Sequence, residues 1–153
     1  MIKKQKLSSP RLRTVLLAVI AIVAIIGLFD AMYLTVTHYT NALVPCNFTQ
    51  SCETVLTSQY SEILGLPIAA LGMVFYVVVL AAAIFFLQHK RFHWWLLAWC
   101  TLGLLSTLYL LYIQALVLNA FCQYCLLSAN TSILIFAMTG VLYLTNNKLS
   151  EKQ

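Results

Sequence analysis

Four long apolar runs, near residues 15–36, 66–87, 94–118 and 121–144, decide what this chain can fold into. Each is long enough for a helix of about 20 residues to cross the hydrocarbon of a bilayer. Only 8% of the 153 residues are charged and 62% are hydrophobic, where a soluble domain carries about 25% charge. Water alone cannot solvate such a chain. Outside the runs there is a short basic head, a connection over 38–65, two tight turns and a polar tail, with no room for a second soluble domain. The expected fold is all-α: an integral membrane four-helix bundle, one domain over 1–153, with an extracytoplasmic loop and half-helix between its first two spans.

The net charge of +5 acquires meaning from its placement. Lys3, Lys4, Lys6, Arg11 and Arg13 precede the first run, Lys90 and Arg91 join the second to the third, and Lys148 and Lys152 follow the fourth. Basic residues collect on the cytoplasmic side of a membrane. Both termini are therefore expected in the cytoplasm, and the 38–65 loop and the turn near 119–121 outside, with the inner (plasma) membrane as the location. The basic head reads as an orientation signal, not a nucleic-acid patch. It resembles the front of a signal peptide, but the run behind it is too long and has no small-residue cleavage site, so an uncleaved first span is expected. Trp94, Trp95 and Trp99 fall at the inner interface, and Tyr33, Tyr39, Tyr60 and Tyr124 near the outer one, where aromatic belts form.

On this topology four of the five cysteines share the outer face, as two pairs: Cys46 with Cys52, and Cys122 with Cys125. Disulfides form and persist in that compartment. Cys122-Gln-Tyr-Cys125 opens the fourth span, where unpaired N–H groups and the positive end of the helix dipole lower a thiol pKa. The i, i+3 spacing puts both sulfurs on one helical face. Cys46 and Cys52 lie in the long loop, and Ser51 is a fitting N-cap for a short helix running from Cys52 towards Ser58. Two dithiols on one membrane face can exchange electrons. The competing readings are structural staples and a zinc site. A loop this short gains only about 2–3 kcal/mol from a bridge, and a tetrahedral cage is cramped at the head of a membrane helix. Cys100 lies about 30 Å away at 1.5 Å per residue and reads as a packed apolar thiol.

Reduced thiols need a two-electron acceptor. No haem, flavin or metal motif is visible, and the histidines are only His38, His89 and His93. A lipid-soluble quinone needs little more than an apolar pocket with a few polar groups.

The chain resembles the vitamin K epoxide reductase family in its stand-alone bacterial form. The matching residues are Gly27-Leu-Phe-Asp-Ala-Met-Tyr33-Leu, then Cys46-x5-Cys52-Glu-x4-Ser58, Gly65-Leu-Pro67 and Gly72-x3-Tyr76, and last Phe121-Cys-Gln-Tyr-Cys125-x2-Ser-Ala. The family of DsbB, which also links disulfides to quinones, carries its CxxC in the first outward loop and matches less well. The resemblance implies four helices around a quinone pocket, capped by the loop and its half-helix. It implies a protein dithiol:quinone oxidoreductase that supports disulfide bond formation. Cys46 and Cys52 would be shuttle cysteines oxidising a separate thioredoxin-like (DsbA-like) extracytoplasmic partner, since no thioredoxin domain follows the bundle. Cys122 would exchange with the loop and Cys125 would face the quinone, ubiquinone or menaquinone. Ser58, Phe75 and Ala129 are the expected quinone contacts. Ala129 stands where the vertebrate branch has a tyrosine donor and Ile68 lies near its asparagine donor, which favours partner oxidation over vitamin K epoxide reduction.

Asp30 is the acidic residue within a span, at a cost of about 2.5–3.5 kcal/mol on insertion scales. On the stripe running through Leu34 to His38, it is expected inside the bundle, as a proton carrier or as a hydrogen-bonded packing residue. His38 reads as interfacial. Tyr109, Tyr112 and Tyr124 are candidates to line the pocket, although aromatic stripes in bundles usually pack. The contrasting reading for the whole chain is a non-catalytic four-helix membrane protein with structural disulfides.

Overall fold

The computed structural model describes residues 10–42, 44–46, 52–88 and 93–150. The basic head through Lys6, the Ser51 cap, the basic turn at 89–91 and Lys152 lie outside the described residues. Helix α1 spans Pro10–Thr40, α2 Cys52–Leu56, α3 Ile68–Gln88, α4 His93–Tyr112 and α5 Gln123–Ser150. A π-turn, Ile113–Val117, extends α4. Two short strands, β1 Glu62–Ile63 and β2 Leu66–Pro67, pair antiparallel between α2 and α3. Four stretches are long and apolar enough to cross a membrane: Arg11–Thr40, Ile68–Gln88, Trp94–Val117 and Gln123–Thr145. The chain is an all-α membrane bundle, as expected.

Side-chain spacing explains the packing. On α1 the buried residues Leu17, Ile20, Ala24 and Ala31 recur at intervals of three, four and seven, which draws one stripe down a helix. On α3 the matching stripe is Tyr76, Val79, Ala83 and Phe86. These two stripes meet Ile135 and Leu142 of α5 and Leu96 and Cys100 of α4 in one core. Small residues on α1 let the backbones close up, as membrane helices require. At Gly27 an added Cβ would run into the Tyr76 ring. The opposite faces stay apolar and exposed, as at Ile22, Phe29, Val74 and Leu105, which suits lipid rather than water.

α1 packs against both α3 and α5, and α4 packs against α5. α3 and α4 are consecutive yet touch far less. Their main tie is Phe75, which fills the space a Cβ on Gly103 would need and lies stacked on Trp99 at 6.4 Å between ring centres. At the end of the bundle away from the cysteine pairs, the Arg13 guanidinium donates to the Phe86 carbonyl and joins the head of α1 to the end of α3.

Several boundaries differ from the sequence reading. α1 starts at Pro10 and runs to Thr40, beyond 15–36 at both ends. Arg11 and Arg13 therefore sit on the helix itself. The second span begins at Ile68, not 66, because Leu66 and Pro67 pair with Ile63 and Glu62. That hairpin turns on Leu64 (φ 55°) and Gly65 (φ 78°), the two left-handed positions of a type I′ turn. The short helix stops at Leu56, short of Ser58.

Candidate functional site

The site is built where the first loop folds down on the head of α5. Cys122 is the residue before α5, and its carbonyl accepts the Leu126 N–H at 3.0 Å, so it stands as the N-cap. Cys125 follows in the first turn. Cys46 and Cys52 form a disulfide with a Cα–Cα distance of 6.2 Å, and Cys52 opens α2. Cys52, Val55, Ala120 and Cys122 make one buried cluster, with Cys46, Tyr124 and Cys125 packed against it. All four cysteines of the two pairs are thus drawn to one place. The loop is tied there by two bonds to the Pro45 carbonyl: Gln123 Nε2 and Tyr124 Oη each donate to it at 3.3 Å. Tyr124 also packs on Tyr33 of α1, with ring centres 5.2 Å apart.

The two thiols of the second pair are unequal. Cys122 is fully buried, and its thiol is pulled from an ordinary value of 9.0 down to about 7. The largest cause is the hydrogen bond from the Cys125 thiol; burial opposes it, and the N–H groups of Cys125 and Tyr124 add to it. The charge of Asp30 pushes weakly the other way. A thiol that ionises near neutrality is the one that attacks and leaves. Helix-end N–H groups contribute as the sequence led us to expect, but the partner cysteine contributes more.

Behind Cys125 lies a cavity of about 1010 Å³. Cys125 lines it and Cys122 does not. Ser58, Phe75 and Ala129, the three contacts expected from sequence, all stand in its wall, as do Trp99 and Gln114. The Ser58 hydroxyl is committed, donating to the Val55 carbonyl at 2.8 Å where α2 ends. Trp99, expected at the inner interface, also lines the cavity: its indole N–H donates to the Phe75 carbonyl at 3.4 Å and its ring stacks on Phe75. Trp94 and Trp95 remain exposed. Tyr109 lines the cavity, whereas Tyr112 and Tyr124 are absent from its wall.

In the cavity wall the Tyr76 hydroxyl lies 2.7 Å from Thr131 Oγ1, 3.0 Å from Ser128 Oγ and 3.3 Å from Ser132 Oγ, and donates to the Ser128 carbonyl at 3.0 Å. This cluster fastens α3 to the second and third turns of α5. Asp30 is 7% exposed, and among the described residues neither of its carboxyl oxygens has a hydrogen-bond partner. It lies within electrostatic reach of both Cys122 and Cys125. His38 pairs with Glu62 of the hairpin at 3.1 Å. Cys100 is fully buried in the core, 3.7 Å from Thr139 Oγ1 and apart from this cluster.

Gln114 was not singled out from sequence. It is a polar residue in a long apolar run, 3% exposed, and its Oε1 accepts the Cys122 N–H at 3.1 Å. The signal was there: an uncharged amide within a span must find partners inside the bundle.

A membrane helix bundle that holds an exchangeable cysteine pair over a second pair, with an apolar cavity behind it, is the build of a membrane thiol–disulfide oxidoreductase. A family model described as the vitamin K epoxide reductase family matches residues 18–140. The chain belongs to that family, whose members are oxidoreductases linked in general to quinones.

Proposed function

We propose that this chain is a protein dithiol:quinone oxidoreductase that keeps a thioredoxin-like extracytoplasmic partner oxidised. The observation that carries the reading is the order of the parts: loop disulfide, Cys122, Cys125, cavity. The partner's thiols reduce Cys46–Cys52. The loop dithiol then reduces the Cys122–Cys125 disulfide in two steps. One loop thiolate bonds to the Cys122 sulfur and expels Cys125 as a thiol. The second loop cysteine then attacks the first, re-forming Cys46–Cys52 and releasing Cys122, whose lowered pKa makes it a good leaving sulfur in that step. Cys125 faces the cavity, where a quinone accepts two electrons and two protons. Phe75, Trp99 and Ala129 supply the flat apolar walls such a ring needs, and Ser58 stands at the edge nearest the loop. Ubiquinone and menaquinone both fit this chemistry. Asp30, buried beside both thiols without a hydrogen-bond partner among the described residues, takes up protons as the dithiol is oxidised. The distribution of lysine and arginine supports placing the protein in the plasma membrane, with both termini in the cytoplasm and both cysteine pairs outside.

The test uses purified protein in detergent, a reduced thioredoxin-like substrate and a soluble quinone. Quinone absorbance and free thiols are followed together. Stoichiometric quinone reduction that vanishes in Cys125→Ala supports the relay. Cysteines that resist mild reductant, with no turnover on any quinone, would leave structural disulfides as the reading.

A further inference from the structure

Gln114 connects the cavity to the head of α5 through the two ends of one amide. Its backbone lies in the π-turn, where Leu118 N–H donates to the Ile113 carbonyl at 2.9 Å and Ala120 N–H to the Gln114 carbonyl at 3.0 Å. A wider turn of this kind rotates a side chain away from where a regular helix would carry it, and such turns gather at functional sites. Here it accompanies a side chain that reaches the N-cap of the next helix. That contact fixes the amide's orientation by chemistry alone. The Cys122 backbone N–H can only donate, so the atom facing it at 3.1 Å is the side-chain oxygen. The nitrogen, with two N–H donors, is turned away from Cys122. Among the described residues those donors have no partner, and Gln114 stands in the cavity wall with Cys125 and Ala129.

Several polar groups around the cavity are already engaged. The Ser58 hydroxyl donates to Val55, and the Ser128 and Ser132 hydroxyls are bound up with Tyr76. Ile68 and Ala129 bring no donor at all. The Gln114 nitrogen is not among the fully buried, unpartnered atoms, so its two donors are reachable from the cavity that the residue lines.

We propose that Gln114 is an acceptor-binding residue: its carbonyl holds Cys122 at the head of α5 while its amide N–H donates to a carbonyl oxygen of the quinone. This rests on the proposed function and adds to it the residue that recognises the acceptor's oxygen. One side chain then sets the distance between the ring and the thiol pair. A donor aimed at an oxygen that gains negative charge as electrons arrive also strengthens during the reaction.

The experiment compares two probes of one shape, duroquinone and its carbonyl-free counterpart durene. The full-length protein is used with its cysteines oxidised, so that binding is read with no electrons to transfer. Duroquinone binding is followed by quenching of tryptophan fluorescence, Trp99 being in the wall, and durene by displacement. In Gln114→Met, duroquinone is expected to bind about five- to tenfold more weakly, the size of one net hydrogen bond, while durene binding is unchanged. Gln114→Glu at pH 8 keeps an oxygen for the Cys122 N–H and loses both donors, so it serves if the methionine variant folds poorly. It is expected to lose the same discrimination. Wild-type preference for duroquinone retained in both variants would overturn the assignment and leave the proposed function standing. Wild-type protein that neither binds nor reduces duroquinone would instead strike the proposed function itself.

Discussion

Removing the Cys125 thiol should move the titration of Cys122, because the Cys125 hydrogen bond is the largest influence holding that thiol near 7. In Cys125→Ala the bond is gone, while burial and the smaller, opposing pull of the backbone N–H groups remain, so the midpoint should rise towards the ordinary value of 9.0. At pH 7 a thiol with a midpoint of 7 is about half ionised, and one at 9 about one part in a hundred, a loss of about fiftyfold in thiolate. The remaining thiolate is more basic and intrinsically more nucleophilic. With a Brønsted slope near 0.45, two pH units return about eightfold. The net rate of alkylation at pH 7 should therefore fall only about five- to tenfold, while the plateau at high pH should rise. The cleaner observable is the midpoint. Fully reduced protein is treated with iodoacetamide from pH 5.5 to 10.5, and modification at Cys122 is read by peptide mass. Because Cys122 is buried in both proteins, access affects the rates but not the midpoint. A midpoint that stays near 7 in the variant would refute the reasoning and assign the shift to the backbone N–H groups of Tyr124 and Cys125 instead.

Three further outcomes are expected. Asp30→Asn should slow quinone-linked turnover by about a hundredfold, the usual size of a lost general acid–base step, while partner-to-loop exchange measured by mixed-disulfide trapping stays intact; full turnover from pH 5 to 9 would end the proton role. Gly27→Ala should destabilise the bundle by about 1–3 kcal/mol, read as a lowered melting temperature in detergent, because the new methyl meets Tyr76 Oη at 2.8 Å and its ring carbons closer still. Cys46→Ser and Cys52→Ser should each abolish oxidation of the protein partner but leave reaction with a small dithiol, whereas Cys100→Ala should leave turnover unchanged; an inactive Cys100→Ala with an active Cys125→Ala would invert the assignment.

The spans were legible because lipid demands long, nearly uncharged runs, and nothing else in a chain this short imitates them. The cysteine pairs were legible because their order and their place at span ends carry the chemistry. The hairpin was not. Two strands of two residues each are too short to show an alternating pattern, and its turn uses Leu64 at a left-handed position where asparagine or glycine would have announced it. The place of Trp99 in the cavity wall was not legible because position along a span says how deep a ring lies, not which side of the helix it takes. The π-turn escaped for a related reason: a local change of period within a uniformly apolar run leaves no hydrophobic pattern to shift. Gln114 was the residue that should have stood out there.

The loose meeting of α3 and α4 has a consequence for supply. With Phe75, Trp99 and Gly103 as their main contact, these two helices leave the cavity flanked by lipid-facing surface rather than sealed by helix packing. An acceptor dissolved in the bilayer can therefore enter sideways, without crossing water. For such an acceptor the concentration that counts is its mole fraction in the surrounding lipid. Saturation would then follow membrane composition, and diluting the protein in buffer at fixed lipid ratio would leave it untouched.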